Sequence, residues 1–212
     1  MSIDQPGPTE DELDPLSSVE RIAKEHKEHL EWIERVPFKD LGQKAELVLV
    51  LLGEQPATNF RFRSEDPNTD TFVDAFKKMG LSVIVEQTSD NGETNVFVAR
   101  TQELAEKIAR YAPRTSQKRY YHEEYGQLMG FPQTAIDSFL GRTEKLPQQA
   151  AWNLFKSSNF LFTFSHSNAH WKEEERFRLR RAKIIERFTP SLYKAITEEH
   201  DKLLQGGRTD TK

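Results

Sequence analysis

The stretch Leu81–Arg100, "LSVIVEQTSDNGETNVFVAR", decides how the chain folds. Two β-branched runs, "LSVIVEQ" and "TNVFVAR", flank "TSDNGE", and Asn91–Gly92 is the strongest short hairpin signal in the sequence. Just beyond it, "TQELAEKIARYA" reads as a helix with Thr101 as its cap and Pro113 past its end. Just before it, "TDTFVDAFKKMG" sets Phe72, Val73, Phe76 and Met79 on one helical side. Gly80 supplies the stop, and Leu81 makes the apolar contact that follows such a stop.

Further upstream, "TNFRFR" alternates, with Phe60 and Phe62 inward and Asn59, Arg61 and Arg63 outward. Asp40 and Gln43 have capping-box spacing ahead of "KAELVLVLLG". Ala45, Glu46 and the terminal Gly53 favour a buried helix there over a strand. The order from 41 to 112 is therefore α-β-α-β-β-α. This predicts an α+β fold, a small mixed three-stranded sheet with flanking helices.

The N-terminal segment "SSVERIAKEHKEHLEWIERV" predicts one helix ended by Pro37, with Ser17 and Glu20 at capping-box spacing. Its register puts His26 on the apolar side and rotates His29 away, so the two are not read as a metal pair. After Pro113 the strand signals fade, and a helical C-terminal half is expected. Its helices are "RTSQKRYYHEEYGQLMG", "PQTAIDSFLG", "LPQQAAWNLFKSS", a long one over about 168–188, and "PSLYKAITEEHDKLL". The expected organisation is an acidic disordered tail over 1–14, an α/β layer with its N-terminal helix over 15–113, a helical half sharing the core over 114–204, and a loose tail over 205–212.

Composition narrows the function classes. The chain has 212 residues, 36% hydrophobic, and its 14 Phe and 3 Trp are bulk enough for a core. A net charge of −4 gives no whole-protein attraction to nucleic acid or anionic membrane, so any such binding needs a local basic patch. The absence of cysteine removes disulfides, thiol nucleophiles and Cys-ligated zinc. "MSIDQPGPTEDELDP" has neither the basic nor the apolar region of a secretory signal, and the apolar run Leu47–Leu52 is too short to span a bilayer. A soluble cytoplasmic protein with no membrane partner is expected.

Three groups of residues could carry chemistry. In "FTFSHSNAHWKEEERFRLRRAKIIERF", His166, His170 and Glu174 have H-x3-H-x3-E spacing, which on one helix would offer a divalent metal three ligands. Ser165, Ser167 and Asn168 all favour the N-cap, however, so the helix is expected to begin among them, with His166 outside its register. On the same helix Arg176, Arg180, Lys183 and Arg187 form a continuous stripe able to hold phosphates. Arg119, beside Tyr120 and Tyr121, adds a second basic group. His122 and Glu123, with Glu124, could serve as an acid–base group, His166 joining them if the chain brings it close.

Gly130, Phe131 and Pro132 read as a tight joint between two helices. The run G-x-L-x-G-F-P-x-x-A-I-x-x-F, Gly126 to Phe139, is similar to a motif of uncharacterised bacterial and archaeal families in which a Gly-Tyr-Pro joint precedes cysteines and an aromatic. Gln133 and Thr134 stand where those cysteines would be, and the likeness implies no activity.

The sequence has no P-loop, no dinucleotide glycine motif and no nucleophile elbow. The leading expectation is a non-catalytic binding or interaction module using the basic helix face 176–187, its partner a protein or a phosphate-bearing ligand. The alternatives are a metal-assisted hydrolase built on the His/Glu cluster and a nucleic-acid-binding protein. Beyond that possible divalent metal, no cofactor is implied.

Overall fold

The computed structural model describes residues 16–38, 40–63, 66–88, 92–112, 121–157 and 164–206. Two short helices open it, α1 (Leu16–Glu25) and α2 (Lys27–Arg35). The single helix expected here is interrupted at His26, whose φ of −106° and ψ of 21° fall outside the helical range. Ser17 consequently lies inside α1 and not at its cap.

Helix α3 (Leu41–Leu52) starts where expected, the Asp40 carboxylate accepting from the Gln43 amide at 3.0 Å. It ends at Gly53, which takes the left-handed φ of 81° that a Cβ would oppose. Leu47 to Leu52 are all buried, so the apolar run is a core helix. Lys44 is buried too, its Nζ donating to the carbonyls of Glu34 and Val36 at 2.8 and 2.9 Å. That satisfies orphan acceptors at the end of α2.

The sheet holds β1 (Ala57–Arg63), β2 (Ser82–Thr88) and β3 (Glu93–Ala99), with α4 (Thr69–Lys78) between the first two. The spatial order is β1-β3-β2, and both ladders are antiparallel. The parallel relation within the expected mixed sheet survives only between β1 and β2, which share a direction on either side of β3. Thr88 pairs with Glu93 across the hairpin; Asn91 lies outside the described residues, and Gly92 has a φ of 62°.

The central strand is buried on both faces. Val96 and Val98 join Phe60, Phe62, Phe72 and Phe76 in one cluster, while Phe97 and Ala99 pack with α5 (Gln102–Tyr111) and Leu128 in another. Thr101 caps α5 as expected, accepting from the Leu104 amide at 3.3 Å.

The helical C-terminal half contains α6 (His122–Leu128), α7 (Gln133–Phe139), α8 (Gln148–Ser157), α9 (Trp171–Phe188) and α10 (Pro190–Gly206). Ile184, Ile185, Leu192 and Ile196 belong to the same cluster as α3 and β1, so the last two helices complete the core of the sheet layer. Among the described residues no helix is long and apolar enough to cross a membrane.

Candidate functional site

The α6–α7 joint is built by its glycines. Gly130 has a φ of 70°, and a Cβ there would collide with the Arg181 guanidinium and lie 3.2 Å from Pro56. The Phe131 amide donates to the Gly126 carbonyl at 2.9 Å, closing α6. Gly126 lets the helices touch, since a Cβ there would lie 3.0 Å from Ile136. The Tyr125 hydroxyl donates to Asn59 Oδ1 at 2.6 Å and pins α6 to β1. Burial pushes the Tyr125 pKa upward, so the phenol stays protonated.

Between these helices and the chain entering α9 lies a pocket of about 290 Å³. The rings of His122, Tyr125, Phe131, Phe139 and Phe164 line it, with Ala135 and Ile136. Ser165 adds a hydroxyl to the wall. His122 packs edge-on against Phe139 with ring centroids 5.1 Å apart, and Phe131 meets Phe164 at 5.6 Å. Phe139, 52% exposed, forms the mouth, and Lys145 Nζ stands 5.8 Å from its ring centre.

The wall of this pocket is tied down from behind. Ser138 Oγ donates to the His166 carbonyl at 3.0 Å, and the Leu146 amide donates to the same oxygen at 2.9 Å. The Asn168 amide donates to the Glu144 carbonyl at 2.8 Å. Helix α9 then begins at Trp171 with His170 in the N-cap position, beyond the serines and asparagine expected to start it, and His166 precedes it.

Ser167 is the device that starts α9. Its Oγ accepts from the His170 amide at 3.0 Å and donates to Glu174 Oε1 at 2.8 Å, and its own amide donates to Glu174 Oε2 at 2.8 Å. Both oxygens of the buried Glu174 carboxylate are thereby engaged near a helix N-terminus, where negative charge is favoured.

The three metal-ligand candidates do not converge. Glu174 serves Ser167, His170 Nδ1 lies 3.2 Å from Glu173 Oε2, and His166 faces Glu175, its Nε2 3.7 Å from Oε2. Among the described residues no group of three or more His, Cys, Asp or Glu is arranged to hold a metal ion. Nor do the acid–base candidates meet. His122 lines the pocket and His166 does not; the His166 ring stacks on Phe164, centroids 4.8 Å apart. Glu123 is ion-paired with Arg142, which also holds Asp137 at 3.1 Å. The hydrogen bond from Arg142 holds the Glu123 carboxyl below its usual range.

The basic stripe divides. Arg176 and Lys183 are exposed, but Arg180 forks onto Glu54 at 3.0 and 3.2 Å and Arg187 pairs with Glu20. Arg119 lies outside the described residues. Two further arginines of the same helix are buried: Arg178 at 3% exposure and Arg181 at 1%.

Arg178 forks onto Glu175 at 2.7 and 2.8 Å. Burial raises the Glu175 pKa, but the hydrogen bonds and charge of Arg178, with His166 close by, outweigh it and bring it down to about 2. Arg181 Nη2 donates to the carbonyls of Glu54, Met129 and Gly130 at 3.2, 3.3 and 3.2 Å, with its guanidinium 4.4 Å over the Phe177 ring. One side chain thus holds the α3–β1 turn, the α6–α7 joint and α9 together. The sequence carried a signal for this. Glu174, Arg178, Arg181 and Ile185 recur at i, i+4, i+7 and i+11, the register of a buried face.

A third feature is Glu46, on α3. Its carboxyl sits deep, accepting from Thr58 Oγ1 at 2.6 Å. Burial raises its pKa to about 7; the Thr58 bond and Arg181 pull the other way, and Asp40 adds to the rise. His26 and His29 also depart from expectation. The break at His26 turns the rings together, with their Nδ1 atoms 3.1 Å apart.

No protein family, curated protein or solved structure matches this chain, so the functional reading rests on the geometry above.

Proposed function

We propose that the chain is a non-catalytic binding module whose ligand seat is the aromatic pocket between α6, α7 and the segment entering α9. The observation that carries this reading is a concave, mostly apolar site beside acids that are already engaged. Such a cavity with a few polar groups at its edge is the general form of a small-molecule site. Glu123 and Glu174 are bound within the fold, which favours binding over acid–base chemistry.

The exposed Arg176, Leu179 and Lys183 on α9 support a second surface for a protein or phosphate-bearing partner. It is weaker than the sequence suggested, because Arg180 and Arg187 already have carboxylate partners.

The pocket reading is tested by filling it. Ala135, 2% exposed, lies on its wall, and a bulky residue there occupies ligand volume. In a fluorescence titration the unaltered protein is expected to bind 2-naphthalenemethanol saturably, and Ala135→Phe to lose at least tenfold in affinity. Ala135→Leu, a smaller intrusion, gives an intermediate loss if Ala135→Phe disturbs the fold by circular dichroism. Equal affinity in all three proteins would place the probe elsewhere.

A further inference from the structure

We propose that the pocket selects an anionic aromatic ligand, an arene carboxylate with two fused rings; this rests on the pocket reading above. The size argument is direct. An engineered apolar cavity of roughly 150 Å³ takes one benzene ring. This pocket, at about 290 Å³, has room for two. Its walls present ring faces and edges from Phe131, Phe139 and Phe164, which suit offset or edge-on packing with a flat ligand.

The polar groups set the sign of the ligand's charge. Ser165 lines the pocket, and its hydroxyl can donate a hydrogen bond. No carboxylate lines it among the described residues. Of the acids on the neighbouring helices, Glu123 and Asp137 are held by Arg142 and Gln133, while Glu124, the third, does not line the pocket. Lys145, with an exposed side chain, holds its ammonium 5.8 Å from the centre of the Phe139 ring that lines the pocket. A ligand whose rings fill the box and whose carboxylate points outward meets a hydrogen-bond donor and a cation. A cage of rings alone would favour a cationic ligand, because ring faces are negative. Here a cation would instead meet Lys145 near Phe139, and among the described residues no carboxylate lines the pocket.

Three probes with one ring system separate these cases: 2-naphthoate, 2-naphthalenemethanol and 2-naphthylmethylammonium, titrated into the full chain at low salt. The carboxylate is expected to bind about fivefold more tightly than the alcohol, the scale of one partly screened charge contact, and the ammonium more weakly than either. Lys145→Glu, an exposed substitution, is expected to lower the carboxylate's affinity to the alcohol's or below, and added salt to shrink the parent's preference. If alcohol and carboxylate bind alike, or the ammonium binds best, the charge selection is wrong while the pocket reading stands. If no probe is excluded by Ala135→Phe, both fail.

Discussion

Arg181→Ala is expected to cost about 3–5 kcal/mol of folding stability, the largest single-residue effect in the molecule. Each hydrogen bond the guanidinium makes is long, at 3.2 to 3.4 Å, so none is strong alone. The cost lies in what is left behind. The carbonyls of Met129, in the interior, and of Glu54 and Gly130, part-buried, lose a donor, and an unsatisfied buried group costs about 1–3 kcal/mol. A cavity beside Phe177 adds to this.

Part of the loss is offset, since burial works against the Arg181 charge and lowers its pKa to about 10. That value is still far above neutrality, so the group remains a cation and a full donor. Arg181→Lys is expected to rescue little, because one ammonium cannot reach three carbonyls that a planar fork spans. Urea denaturation checks both variants: the midpoint falls with an unchanged slope. An unshifted midpoint in Arg181→Ala would mean that the joint, the α3–β1 turn and α9 hold together without the clamp.

Glu46→Gln is expected to do the opposite above neutral pH, stabilising the fold by about 3 kcal/mol at pH 8. The folded pKa, about 7, is raised from 4.5. Between those values the folded chain keeps a proton that the unfolded chain has lost. Stability is therefore fully present below about 4.5, falls as pH rises through 7, and stays at its lower level above. The groups that face the carboxyl are Thr58 on β1, Asp40 at the start of α3 and Arg181 on α9, and only Asp40 reinforces the rise. Glutamine carries no charge at any pH, so the variant lacks the fall that Glu46 contributes, and the gap between its stability and the parent's widens from pH 4.5 to 7. Thermal melts from pH 4 to pH 8 make the comparison. Curves that run parallel would show that Glu46 ionises as an ordinary surface acid.

The two residues explain where sequence reading stops. The hairpin, the Asp40 and Thr101 caps, the alternation of Phe60 and Phe62 and the Gly130–Phe131–Pro132 joint were legible, because each depends on neighbours within a few positions. The clamp was not. A basic residue is ordinarily outside, and only the carbonyls of two distant turns make an interior arginine tolerable. Arg178 is the same case with Glu175 as partner.

The pocket was half visible. Its α6–α7 walls follow from Gly126, Gly130 and Phe139, but Phe164 arrives from beyond α8 and closes it only in three dimensions. The histidines misled for a local reason. Continuous helical phase was assumed through His26, and a break of one residue changed which way His29 turned.

Under the proposal, ligand binds in the aromatic pocket and not on the exposed cations of α9. Amide chemical-shift mapping during a 2-naphthoate titration tests it most directly. The account predicts saturable shifts at His122, Gly126, Ala135, Phe139 and Ser165, with Arg176, Leu179 and Lys183 unmoved. Shifts confined to the α9 stripe, or spread without saturation, would contradict it.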